Sequence, residues 1–232
     1  YQIWHHRQLL IERLHASLVH DRSQVLELAR SEADFMMQMF ELDSKNYHVW
    51  SYRQYFVRKL QLFPSQCEGA AGAPSELIVV EALLERDVRN NSAWAHRFLV
   101  VFSDPGRSTE AAGPLERDEK VPDSIVDREV AFSKVQIRKA PMNQSGWNFL
   151  RGVLRKGGRE LASLDGFASE FVVLDDGKED IKSSHALEFL ADVWAERGQV
   201  EKADMALRLL GDKYDRVRKN YWEYRREGLR KV

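Results

Sequence analysis

Apolar residues recur along most of this 232-residue chain at the spacing of one helix face, with polar residues between them. The stretch "DRSQVLELARSEADFMMQMFEL" (21–42) reads as one amphipathic helix opened by Asp21 as N-cap. "NYHVWSYRQYFVRKLQLF" follows as a second helix, capped by Asn46. The same pattern predicts a pair at 75–89, opened by Ser75, and 91–102. Another pair is predicted at 124–139 and 143–155, where Ser124 and Asp127 resemble a capping box with Asp in place of Glu or Gln. Further helices are expected over 159–175, 183–197, 199–213 and 215–230, and no segment alternates with a period of two. The opening "YQIWHHRQLL" enters a helix with no cap before Tyr1, so the chain reads as a fragment lacking its natural N-terminus.

The pattern also repeats at long range. Trp4, Trp50, Trp94 and Trp147 stand 46, 44 and 53 residues apart, intervals of the length that marks helical solenoids. Asparagine lies four residues before tryptophan in three units (Asn46, Asn90, Asn143), and arginine three residues after it in three (Arg7, Arg53, Arg97). The fourth unit has Leu150 in that place, with Arg151 next to it. Trp194–Arg197 and Trp222–Arg225 keep the spacing without the asparagine, as capping helices would. The fold class that follows is all-α: helical hairpins stacked into a right-handed superhelix or crescent. One repeat domain is expected over 1–232, interrupted by Gly/Pro-rich surface loops near 64–75 and 103–123 that are expected to be mobile.

Composition narrows the function classes. A net charge of -1 gives no global sign of a nucleic-acid or membrane-surface binder. The single cysteine, Cys67, cannot form an internal disulfide and fits a reducing compartment; the cytoplasm is the expected location. No apolar run reaches the roughly 18 residues of a membrane-spanning helix. The seven histidines show no metal-ligand spacing, and no nucleophile elbow or Gly-rich phosphate loop occurs. "RKGGRE" (155–160) reads as a glycine turn between helices. Taken alone, the chain lacks the parts of a self-contained enzyme.

The repeated Trp–Arg pairs share one helix face and read as frame: each tryptophan packs between hairpins while its arginine stacks on it or pairs with an acid of the next unit. Lys45 does not fit that account. It precedes the first turn of a helix, where a cation is mildly unfavourable unless an anion sits beside it. A helix N-terminus with a lysine is also a ready anion site. From the residues alone, Lys45 is either a solvated loop lysine or a phosphate contact.

The units "YQIWHHRQLL", "KNYHVWSYRQYFVRK", "DVRNNSAWAHRFLVV" and "NQSGWNFLRGVL" resemble the repeats of protein prenyltransferase α subunits, most like the one shared by protein farnesyltransferase and geranylgeranyltransferase type I. The resemblance covers almost the whole chain. It implies a helical crescent wrapped around a β subunit. Zinc, and magnesium if used, would belong to the complex, with zinc held by the β subunit. The reaction implied is transfer of a farnesyl or geranylgeranyl group from its diphosphate to a C-terminal CaaX cysteine. The resemblance puts the catalytic lysine on Lys45, against the diphosphate, and a neighbouring tyrosine on Tyr47. It further implies substrate contacts at His48, Asn90 and Tyr1. Arg53, Trp50, Trp94, Arg97 and Trp147 are expected to serve architecture and the subunit interface. The Rab-type geranylgeranyltransferase α subunit and a non-catalytic helical-repeat scaffold are the alternatives.

Overall fold

The computed structural model describes residues 2–69, 73–109, 113, 116–175 and 178–229. They group into two compact units, Tyr1–Ala112 with Asp118–Pro122, and Gly113–Arg117 with Asp123–Val232.

The first unit is built from α1 (Gln2–Leu18), α2 (Arg22–Leu42), α3 (Tyr47–Lys59), the short α4 (Pro64–Cys67), α5 (Glu76–Arg86) and α6 (Asn91–Phe102). The caps fall where the sequence predicts. Asp21 accepts from the Ser23 and Gln24 N–H groups, Asn46 from His48 and Val49, and Ser75 from Ile78. Helix α5 stops at Arg86, because Asp87 opens the next turn. The apolar faces meet in a core that includes Phe40, Val49, Trp50, Phe56, Val80, Leu83, Trp94 and Val100.

The loops expected to be mobile are tied down by two buried aspartates where they are described. Asp104 accepts from the Ser65 and Gly106 N–H groups, at 2.9 and 3.1 Å, and so fastens the start of the second loop to α4. Asp118 accepts from the Thr109 N–H and hydroxyl at 2.7 and 2.8 Å. A buried carboxylate ringed by donors fixes loop backbone much as a helix cap does. Residues 70–72, 110–112, 114 and 115 lie outside the described residues.

The second unit comprises α7 (Asp123–Lys139), α8 (Gln144–Lys156), α9 (Asp165–Ser169), α10 (Ser184–Glu196), α11 (Val200–Leu209) and α12 (Lys219–Leu229). Helix α8 ends in the predicted glycine turn: Gly158 takes φ +60°, and the Arg159 N–H reaches back to the Leu154 carbonyl at 2.9 Å. Trp147 anchors the core, with Phe167, Phe171 and Phe189 packed around it at centroid distances of 5.7 to 5.8 Å.

Four sequence expectations need correction here. The predicted helix over 159–175 is a 3₁₀ turn (Leu161–Leu164), then α9, then a strand. That strand, β1 (Val172–Asp175), pairs antiparallel with β2 (Lys178–Ile181), Val172 opposite Ile181. The segment is too short to show a period, and β-branched Val172 and Val173 favour an extended backbone. The predicted capping box is also absent: α7 begins at Asp123, and the Asp127 carboxylate pairs with Arg159 at 2.5 Å. Finally, the helix expected over 199–213 ends at Leu209 in a wide π turn, and that over 215–230 begins with a 3₁₀ turn, Arg216–Arg218.

Candidate functional site

The turn into α3 and the turn into α6 have one chemistry. Their sequences, Asp43-Ser44-Lys45-Asn46 and Asp87-Val88-Arg89-Asn90, share an aspartate, a cation and an asparagine at the same places. The aspartate side chain accepts from the N–H of the cationic residue, at 3.0 Å for Lys45 and 2.9 Å for Arg89. Its carbonyl accepts from the asparagine N–H, at 3.2 Å for Asn46 and 3.0 Å for Asn90. The asparagine then caps the helix, and the tryptophan four residues on sends its indole N–H back into the turn. Trp50 donates to the Ser44 carbonyl at 2.9 Å, Trp94 to Val88 at 2.8 Å and, in the turn before α8, Trp147 to Pro141 at 2.9 Å. The Asn-x-x-x-Trp repeat is therefore a turn lock: one residue satisfies the helix start and the other ties the ring to the carbonyl six residues earlier.

The first two turns are joined to each other. The Asn90 amide donates to the Ser44 carbonyl at 2.8 Å, the same oxygen that takes the Trp50 indole. Lys45 Nζ lies 2.8 Å from Asp87 Oδ2. The Lys45 side chain keeps 56% of its exposure. Tyr47 is 71% exposed, and its ring stands edge-on to half-buried His48 at 5.7 Å. Hydrogen bonding from the Lys45 ammonium holds the Asp87 carboxyl below the usual carboxylate range. The anion site expected at α3 therefore offers less backbone than a bare helix end. Asn46 already takes the His48 and Val49 N–H groups, leaving the Lys45 ammonium as its charged feature. Asn90 is fully buried, its oxygen on the Ser92 and Ala93 N–H groups and its amide on Ser44. Lys45 and Tyr47 are thus exposed at the edge where α3 begins, with half-buried His48 next to Tyr47, while Asn90 is buried in the neighbouring turn. Tyr1 lies outside the described residues.

Comparison with known proteins identifies the repeat. The model of the protein prenyltransferase alpha subunit repeat matches residues 29–60, 74–104 and 126–157. The Candida albicans protein farnesyltransferase/geranylgeranyltransferase type-1 subunit alpha is 32% identical over the whole chain, which covers 67% of that protein. This chain belongs to the protein prenyltransferase α-subunit family. The Dictyostelium discoideum subunit of the same name is 30% identical over 65% of the chain and 43% of its own length. A mouse geranylgeranyl transferase type-2 subunit alpha is 26% identical over 66% of the chain and 23% of its own length. The solved structure of Candida albicans protein geranylgeranyltransferase-I complexed with GGPP superposes with a TM-score of 0.80, at 32% identity, over 99% of this chain and 67% of that one.

The three segments that match the prenyltransferase repeat run from within α2 through α3, across α5 and α6, and from within α7 through α8, and Trp50, Trp94 and Trp147 inside them are buried. The arginines behave as frame. Arg53 forms a fork with Glu76 at 2.8 and 2.9 Å, and His96 completes that cluster at 2.8 Å from the same carboxylate. Arg7 and the Tyr52 hydroxyl converge on Glu32, at 2.6 to 2.9 Å. Arg97 pairs with Glu81 of its own hairpin at 3.0 Å. Sequence reading missed Glu32, Glu76, His96 and Asp87. The repeated Asp three residues before Asn was the visible sign for Asp87; the others have no spacing signal, since their partners sit 20 or more residues away. Among the described residues no three His, Cys, Asp or Glu side chains are grouped to hold a metal ion. Nor is any helix among them long and apolar enough to cross a membrane.

Proposed function

We propose that this chain is the α subunit of a heterodimeric CaaX protein prenyltransferase. The reading rests above all on one observation: Lys45 stands exposed at the edge where α3 begins, before Tyr47 and half-buried His48, on a turn that hydrogen bonds fix from both sides. The enzyme joins the thiolate sulfur of a C-terminal cysteine to C1 of a farnesyl or geranylgeranyl diphosphate. The C–O bond breaks, and the diphosphate leaves with the electron pair. Lys45 meets the negative charge that grows on that leaving group, and a preorganised cation aimed at developing charge lowers the barrier. Tyr47 and His48 contact the substrates from the same edge, and Tyr1 is a further substrate contact. Asn90 contributes by holding the Ser44 carbonyl, and through it the Lys45 turn. Zinc belongs to the β subunit. The heterodimer works in the cytoplasm.

Identity of 32% over the whole of this chain to a type-1 subunit, against 26% over 66% of the chain for a type-2 subunit, supports the CaaX enzyme over the Rab-type one. Co-expression with farnesyl, geranylgeranyl type I and Rab-type β subunits tests this directly. Complex formation and prenyl transfer to a CaaX peptide are expected with a type I or farnesyl partner. Activity only with the Rab-type partner, or binding to none, overturns the proposal.

A further inference from the structure

The Lys45 edge has a second charged member that the proposed chemistry does not use. Asp87 sits on the neighbouring turn, 2.8 Å from the ammonium. Its two oxygens have separate tasks. Oδ1 accepts the Arg89 N–H at 2.9 Å, which fixes the carboxylate plane, and Oδ2 faces Lys45. A lysine side chain loses much rotamer freedom when held in one place. Its ammonium has three N–H donors, so one bond to Asp87 leaves two for another acceptor.

We infer that Asp87 is a positioning residue: its fixed carboxylate holds the Lys45 ammonium over the α3 edge, where the remaining N–H groups meet an anionic ligand. On the function proposed above, on which this inference rests, that ligand is the isoprenoid diphosphate.

A purely structural role for Asp87 is the competing account, and the repeat itself weighs against it. The turn before α8 has Ala140 in the corresponding place, yet it closes with the same bond, Asn143 N–H to the Ala140 carbonyl at 2.9 Å. The turn therefore forms without a carboxylate. Nor is Asp87 needed for the cap, which Asn90 supplies. As a stability device the pair is weak, since both partners are partly in water. What Asp87 adds is the location of one flexible charge, and misplaced catalytic groups lose rate steeply.

The test is a double-mutant cycle in the reconstituted heterodimer, with Lys45→Ala, Asp87→Ala, Asp87→Asn and the paired K45A/D87A. The readouts are the single-turnover rate of prenyl transfer and the peptide KM. Asp87→Asn retains an acceptor for the Arg89 N–H and removes the charge, so it separates positioning from turn formation. Both Asp87 variants are expected to slow transfer about tenfold with peptide KM unchanged. Asp87→Ala should not slow the Lys45→Ala enzyme further. A wild-type rate for Asp87→Asn, or an equal loss in the K45A background, overturns the positioning role while leaving Lys45 in place. A wild-type rate for Lys45→Ala overturns the Lys45 reading, and this inference with it.

Discussion

Arg53 and Glu76 form a two-pronged ion pair wholly removed from water, with Nε and Nη2 of the guanidinium at 2.8 and 2.9 Å from the two carboxylate oxygens. The pair joins α3 of one hairpin to α5 of the next, and His96 of α6 closes it through Nε2 at 2.8 Å. Desolvating both charges is costly, so the arrangement holds only while every member is present. Replacing Glu76 by Gln leaves the Arg53 charge buried and unpaired. A loss of about 3–5 kcal/mol is expected. Urea unfolding of the variant complex checks it, and a loss below 1 kcal/mol would contradict the role assigned to the cluster.

The same carboxylate sets an acid limit. Burial alone would raise its pKa, but Arg53 and His96 outweigh burial and bring Glu76 from 4.5 down to about 2. The folded value lies below the unfolded one, so the unfolded chain takes up the proton first. The stabilisation is complete above the unfolded value and is lost as pH falls from about 4.5 to about 2. Stability measured between pH 2 and 7 should therefore fall on the acid side in the wild-type protein. The fall should be smaller in Glu76→Gln, which has no proton to take up at that site.

Asn90 carries a different load. It caps α6 and bridges to the Ser44 carbonyl of the preceding turn. Asn90→Ala removes both. An N-cap deletion costs about 1 kcal/mol, and a buried hydrogen bond adds about as much. Asn90→Ser keeps a cap oxygen and loses the donor to Ser44 without burying a charge, so it should lie between the wild type and Ala in thermal unfolding. A Ser variant as unstable as Ala would show that the bridge outweighs the cap.

Lys45→Ala tests the chemistry itself. Losing one preorganised contact to developing charge is expected to lower transfer by about 10²–10³-fold. Association with the β subunit and the zinc content of the complex should be unchanged, because neither is assigned to Lys45. Steady-state kinetics with saturating diphosphate, beside a metal assay, provide the check. An unchanged rate would remove Lys45 from the mechanism.

Much of the frame was legible because its signals are local. Asp21, Asn46, Ser75, Asn90 and Asn143 all cap helices, since a short polar side chain before an apolar run has few other uses. The arginines of the first two Trp units pair with acids of the following hairpin, Glu32 and Glu76, as the repeat implied. The hairpin β1–β2 was missed although Asp176-Gly177, a strong turn signal, stands between its strands. Four-residue strands carry too little period to outweigh a helical neighbourhood.

By itself the sequence determined the repeat, the caps, the buried tryptophans of its units and the family resemblance, because helical period and capping depend on residues within one or two helical turns and the repeat shows in the recurrence of the same local pattern. Tertiary structure alone decided which acid meets which base. The partners Asp87 for Lys45, Glu76 for Arg53 and His96, and Ser44 for Asn90 lie 20 to 46 residues away along the chain. Only helix packing, between hairpins for Lys45, Arg53 and Asn90 and within the α5–α6 hairpin for His96, brings them within 3 Å. The packing thus turned the lysine before α3 from a charge at an unfavourable helix end into one held by a carboxylate of the adjoining turn.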